Sequence, residues 1–415
     1  MRAMFDAAVS AASAERCLPS YLPPPPNGRT IVVGAGKAAG AMAKVFEDHW
    51  PGALEGRVVT RYGHGADCRR ITVVEAGHPV PDQASMSAAN AILNSVRRLT
   101  GQDLVVCLLS GGGSALLALP APGLTLADKR GVTRALLRSG ADIREINTVR
   151  KHLSAIKGGR LAIAAAPARV MTLAISDIPG DDISMIASGP AVADSTTFAE
   201  ARDIIENRGI EVSETVMRHL VEARDETPKP SDPRLARVEA RLIATAGQSL
   251  QAAAEVAARA GFRPIILGDD LCGEARDMAR DHAVLVCRSA RSGDRVAIIS
   301  GGEASVTLTG PGRGGRNSEY LLALGLSLEG ECRVHALACD TDGIDGTEDN
   351  AGAMLAPDSL ERARRMGLDP EKCLSQHDAY GFFSALGDLV VTGPTRTNVN
   401  DFRVVLLMPD GTSGL

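Results

Sequence analysis

A chain of 415 residues is longer than one hydrophobic core usually organises, so two domains are expected. A composition of 45% apolar and 23% charged residues belongs to a soluble globular protein and excludes a mostly disordered one. The net charge of -5 carries no basic footprint, so nucleic acid is not an expected partner, although a local basic cluster can still bind a small anion.

The first segment, "MRAMFDAAVSAASAERCLPS", sets Met4, Val9 and Ala12 near one face of an amphipathic helix. Its Asp6 and Glu15 would interrupt the apolar core of a signal peptide. Nowhere does an apolar run reach the roughly 18 residues a membrane helix needs, so a cytoplasmic protein without a membrane partner is expected. The eight cysteines, at 17, 68, 107, 272, 287, 332, 339 and 373, form no C-x-x-C pair and read as buried, reduced thiols.

"PPPP" at 23–26 is a stiff connector that cannot be helical. Apolar runs bounded by Gly, Pro and Asp then predict strand 29–34, helix 37–49, strands 57–61 and 70–75, helix 82–99 and strand 103–110. A helical pattern follows through 125–165, then strand 168–175 and helices near 195–224. Alternating strands and helices predict a mostly parallel, doubly wound sheet. Three prolines among charges at 225–238 mark the domain boundary, giving domains 1–235 and 236–415. The second series predicts strand 239–246, helix 248–260, strand 263–267, helix 273–291, strands 294–300 and 303–309, helix 316–328 and strand 332–339. Short helices between 357 and 386 and strands 388–392 and 402–408 complete it.

Four glycine or acidic loops follow strands. "GAGKAA" at 34–39 matches the dinucleotide fingerprint G-x-G-x-x-A, yet the acid expected about 20 residues on is replaced by Arg61, which suits only a 2′-phosphate. The alternative is a tight strand-to-helix turn. Lys37 opposes the dipole of the helix it precedes, a conflict that an anion would relieve. "SGGGS" places Ser110, Gly111, Gly112, Gly113 and Ser114 after a strand, where successive amides make a phosphate or carboxylate cradle.

"GPGRGGRN" spaces Gly310 and Gly315 as a Walker A loop does, but Arg316 and Asn317 replace the lysine and hydroxyl residue. Arg313 and Arg316 could grip phosphate, or pair with acids such as Glu319. "DTDGIDGTED" sets Asp340, Asp342, Asp345, Glu348 and Asp349 after a strand; the spacing rejects an EF-hand and suits Mg²⁺ bound with substrate phosphates, or a plain acidic turn. Arg150 and Lys157 stand seven apart, on one face of a continuous helix, with Lys151 and Arg160 nearby. Polar loops at 176–190 and 391–404 follow apolar strands, where α/β proteins place ligands.

Seven blocks in order, "VVGAGKAAGAMA", "LLSGGGSALL", "NTVRKHLSAIKGGRLA", "SDIPGDDISMIASGP", "ISGGEASVTLTGPGRGGRNSEYLLALGL", "TDGIDGTEDNAGA" and "TGPTRTNVND", resemble the class II glycerate 2-kinases. The C-terminal part of that family is called the MOFRL domain, here about 294–408. The resemblance implies a Rossmann-like N-terminal domain, a smaller α/β C-terminal domain and an active site in the interdomain cleft. It implies Mg²⁺-dependent transfer of the ATP γ-phosphoryl group to the 2-hydroxyl of D-glycerate, with Lys37 and Arg316 as catalytic groups. Together with the loops, it makes Gly36, Ser110–Ser114, Arg150, Lys157, Gly314, Gly315, Asn317 and Glu319 the expected substrate or phosphate set. Asp177 is expected to orient the glycerate hydroxyl, and Asp340 and Asp342 to place Mg²⁺. Members of the family also carry the label hydroxypyruvate reductase. An NADPH-dependent reductase would rest on Gly34, Gly36, Ala39 and Arg61, and a non-catalytic phosphosugar sensor would use the same cradles. A homodimer is compatible with the sequence.

Overall fold

A computed structural model describes residues 1–290, 293–328 and 334–408. The chain divides into two compact units, 14–243 and 1–13 joined with 244–415. In the first, β1 (Thr30–Ala35), β2 (Glu55–Arg61), β3 (Ile71–Ala76), β4 (Leu104–Leu109), β5 (Arg169–Ile175) and β6 (Val238–Ala244) form one sheet in the order 3-2-1-4-5-6. The pairs from β3 through β5 are parallel, which is the doubly wound arrangement expected. β1 and β4 are buried at every position, as central strands covered on both faces must be.

In the second unit the sheet order is 13-12-11-14-9-7, built from β7 (Arg263–Ile266), β9 (Val296–Ser300), β11 (Val334–Asp340), β12 (Gly352–Leu355), β13 (Leu389–Val390) and β14 (Asp401–Leu407). β8 (Cys272–Glu274) and β10 (Glu303–Ser305) make a separate parallel pair. Only β7 and β9 are parallel within the main sheet; β11, β12, β13 and β14 pair antiparallel, a departure from the first unit's pattern.

Several boundaries differ from the sequence reading. The junction expected at 235/236 lies at 243/244, because the strand assigned to the second domain is β6, whose Glu239 pairs with Arg169 of β5 at 3.1 Å. The helical stretch 125–165 is three helices, Leu126–Arg138, Ile143–His152 and Arg160–Ala165. Gly140, Gly158 and Gly159 interrupt it with φ of +69°, +56° and +80°, conformations that cost glycine little and other residues much. The strand expected over 303–309 stops at Ser305, where its ladder with β8 ends. β12 escaped the periodicity because "GAML" is short; it is held by close approach, since a Cβ on Gly352 would lie 1.9 Å from the Ala338 carbonyl oxygen. Residues 291, 332 and 333 of the expected elements lie outside the described residues. So does Cys332; of the others Cys17, Cys107 and Cys339 are buried, while Cys272 is exposed.

The N-terminal helix Arg2–Ala11 belongs to the second unit. It buries Met4, Phe5 and Ala8 together with Leu250, Ala254 and Phe402, and the rings of Phe5 and Phe402 lie 5.9 Å apart. Phe5→Ala therefore removes one of that core's largest buried side chains. It is expected to cost about 3–5 kcal/mol. Hydrogen exchange should place the loss in 244–408 and leave β1–β5 protected.

Candidate active site

β1 and β4 are adjacent and in register from Thr30↔Leu104 to Ala35↔Leu109, so the first two glycine loops emerge side by side. Gly36 has φ +141°, and a Cβ there would meet the Ser110 hydroxyl oxygen at 2.1 Å. That hydroxyl accepts from the Ala38 amide at 2.9 Å, while the Lys37 amide donates to the Gly111 carbonyl at 2.8 Å and the Ala39 amide to the Gly36 carbonyl at 3.1 Å. The amides a pyrophosphate would require are thus used inside the protein. The Lys37 side chain is half-buried. Its Cγ lies 3.4 Å from where a Cβ on Gly112 would stand, and His78 Nε2 lies 2.8 Å from that same point. His78, two residues beyond β3, is a member of this group that no sequence motif announced.

The loop's far end leads to a second group. Ser114 Oγ lies 2.8 Å from Ser188 Oγ, and the Ser188 hydroxyl donates to Asn147 Oδ1 at 2.8 Å. Ala187 and Ser188 hold φ of +53° and +60°, a strained conformation for residues with side chains. Lys157, 1% exposed, donates from Nζ to the Ala187 carbonyl at 3.2 Å. Lys129, 8% exposed, donates to the Leu153 carbonyl at 3.0 Å. Helix Ile143–His152 ends before Lys157, so Arg150 and Lys157 are not on one helical face as the spacing predicted; the turn through Gly158 and Gly159 carries Lys157. Lys151 and Arg160, by contrast, have acidic partners in Asp194 at 3.0 Å and Asp225 at 3.4 Å. Burial, with Arg150 and Arg160 nearby, lowers Lys129 to about 7. Burial with Lys129 and Arg150 drives Lys157 well below the ordinary lysine value, and burial alone lowers Arg150 to about 10. Asp177 is half-buried in the loop after β5.

In the second unit the third glycine loop is filled from within. A Cβ on Gly315 would lie 2.3 Å from Asp345, whose carboxylate accepts from the Asn317 and Ser318 amides at 2.9 and 2.8 Å and from the Ser318 hydroxyl at 2.6 Å. The start of helix Arg316–Leu328, read from sequence as a phosphate grip through Gly314, Gly315 and Asn317, is therefore capped by a buried carboxylate. Burial raises Asp345 above the usual aspartate range. Gly310 and Gly312 would carry a Cβ to within 2.7 and 2.4 Å of the Gln376 carbonyl oxygen, so these glycines serve close backbone packing. Glu319 is not placed for phosphate either: it accepts from Arg276 Nε at 2.7 Å and from His377 Nδ1 at 2.9 Å. Arg313 pairs with Glu348 at 3.5 Å and lies over the Tyr380 ring.

Arg316 donates to Asp401 at 2.8 Å, Asp340 at 2.9 Å and Glu303 at 2.5 Å, and these acids hold it above the ordinary guanidinium value despite its burial. Asp340 also accepts from the Asp342 amide at 3.0 Å, and Asp342 from the Ile344 amide at 2.8 Å. Among the described residues no three His, Cys, Asp or Glu side chains form a metal cage. The two hard carboxylates at the end of β11 fit only the lighter role of touching a Mg²⁺ carried on phosphate oxygens.

Comparison with known proteins gives these loops a context. A model described as the MOFRL family matches residues 296–401, and a model described as a domain of unknown function, DUF4147, matches residues 1–221. A D-glycerate 2-kinase of Thermotoga maritima is 40% identical over 96% of both chains. The crystal structure of glycerate kinase from the same organism superposes with a TM-score of 0.87 at 39% identity, covering 98% of each chain. The chain belongs to the class II glycerate kinase family. An Agrobacterium vitis protein bearing the name hydroxypyruvate reductase is 53% identical over 98% of this chain and 94% of its own, so both names occur among relatives of this glycerate kinase family member.

Gly315→Ala tests the capped helix of this family member. Displacing the Asp345 carboxylate from two buried amides is expected to cost about 2–4 kcal/mol. Thermal unfolding should show Gly315→Ala and Asp345→Ala to be strongly non-additive, because both remove the same cap.

Proposed function

We propose that this protein is an ATP- and Mg²⁺-dependent D-glycerate 2-kinase, producing 2-phosphoglycerate and ADP. The carrying observation is the Gly36–Ala39 loop: its amides serve Ser110, Gly111 and Gly36 itself, while a lysine stands at its head. A reductase of the dinucleotide-fingerprint type would need those amides for pyrophosphate. Phosphoryl transfer needs instead positioned cations and an aligned hydroxyl.

In this reading Lys37 neutralises the transferring phosphoryl group, with Ser110 and Gly111–Ser114 shaping the anion cradle. Arg150 and Lys157 hold a further anionic part of a reactant, and Asp177 orients the acceptor hydroxyl. Asp340 and Asp342 would hold Mg²⁺ arriving with the nucleotide, where the ion spreads the charge of the phosphate oxygens. Arg316 joins the reaction only as part of its carboxylate group, since Asp340, Asp401 and Glu303 already balance its charge. Cytoplasmic residence and self-association as a homodimer accompany the proposal; among the described residues no helix is long and apolar enough to cross a membrane.

Incubation with ATP, Mg²⁺ and D-glycerate, read by phosphorus NMR, should yield 2- rather than 3-phosphoglycerate, while hydroxypyruvate should oxidise no NADPH. Absence of an ATP-dependent product sinks the proposal. Lys37→Ala is expected to lower kcat by about 10²-fold or more with little change in Tm. Arg316→Ala should behave differently, losing about 3–5 kcal/mol of stability as well as turnover, because it strands buried carboxylates. Denaturant titration beside kinetics separates the two outcomes.

A further inference from the structure

Three cations of the first unit lack the acids that buried charges ordinarily require. Lys157 and Lys129 donate to the carbonyls of Ala187 and Leu153, and among the described residues no carboxylate pairs with either. Arg150, half-buried on the same helix face as Asn147, has no hydrogen-bond or ion-pair partner among the described residues. The surrounding charges are spoken for: Lys151 by Asp194, Arg160 by Asp225, and His152 and Lys229 by Glu226. Neighbours that could have been acids are instead the neutral donors Ser114, Ser188 and Asn147. A cluster built this way can accept a negative charge from outside the protein without displacing one of its own acids.

Resting on the kinase reading for its ligands, we infer that Lys129, Arg150 and Lys157 form one oxyanion site that takes the carboxylate or phosphate of a reactant and binds a proton along with it. Arg150, the half-exposed member, meets the oxyanion directly, and Lys157 faces it beside the strained Ala187–Ser188 turn. Lys129 stands behind them and need not touch the ligand. In the free protein each cation disfavours protonation of the others; an arriving oxyanion reverses that balance, so a proton passes from solvent to the lysine pair as the anion enters. The sign follows: because burial lowers Lys129 to about 7 and lowers Lys157 in the same direction, affinity for the anion falls as pH rises above the value of Lys129.

Calorimetric titration of the full-length protein with D-glycerate, with ATP and with inorganic phosphate, in two buffers of different ionisation enthalpy near about pH 8, reads the proton directly. One reactant should bind with uptake of a substantial fraction of a proton, and which one identifies the source of the oxyanion. Arg150→Ala should weaken that reactant about tenfold or more, raising its KM more than it lowers kcat, and leave the other reactant nearly unchanged. Lys129→Arg, which keeps charge but cannot titrate, should retain binding while most of the proton uptake disappears; Lys129→Met should lose both. Unchanged proton uptake in Lys129→Arg, or unchanged affinity for every anion in Arg150→Ala, overturns the site even if 2-phosphoglycerate is produced. Loss of phosphate binding in Arg150→Ala without any kinase product would uphold the site and discard the kinase reading instead.

Discussion

The Ser110 hydroxyl occupies the space that a side chain at residue 36 would need, and it accepts the Ala38 amide there. Everything at the carboxyl end of the first sheet depends on that arrangement. Because β1 and β4 are paired neighbours, the second loop can satisfy two amides of the first, through the Ser110 hydroxyl and the Gly111 carbonyl. Two glycine loops that separately look like anion cradles thus become a single interlocked edge, with Lys37 and His78 both beside Gly112.

Charge is distributed in opposite ways in the two units. The first holds Lys129 and Lys157 against backbone carbonyls and gives Arg150 no acidic partner among the described residues, whereas the second surrounds Arg316 with Asp340, Asp401 and Glu303 and spends Asp345 on a helix start. The same principle explains both. A buried charge must be balanced, and where the protein does not supply the partner a ligand can. Arg316 is therefore a different kind of candidate from Arg150: one is paired with three acids, the other has no acidic partner among the described residues.

Much of the fold was legible because β1, β4 and β5 are apolar runs that give way to Gly36, Ser110 and Ser176, and β14 is an apolar run that opens at Asp401. What escaped was whatever lacks period. β12 is four residues held by the absence of a Cβ at Gly352, and the stretch 125–165 keeps helical composition across breaks made by glycines at positive φ. Of the proposed site, Lys37, Ser110 and Arg150 could be named as candidates from loops and charge alone. The pairing of Glu319 with Arg276 and the filling of the Gly315 loop by Asp345 were not legible, because a glycine that admits a phosphate and a glycine that admits Asp345 look identical in sequence.

By itself the sequence determined where strands end, where the chain turns and which loops carry cations or acids, since these follow from side-chain size, polarity and local spacing. Only the tertiary structure decided which of those charges are already balanced. The partners of Arg316 lie 13, 24 and 85 positions away, and the hydroxyl that closes the first glycine loop lies 72 positions from the amide it accepts. Pairing over such separations is set by which strands become neighbours, and strand adjacency is a property of the folded sheet rather than of any segment within it.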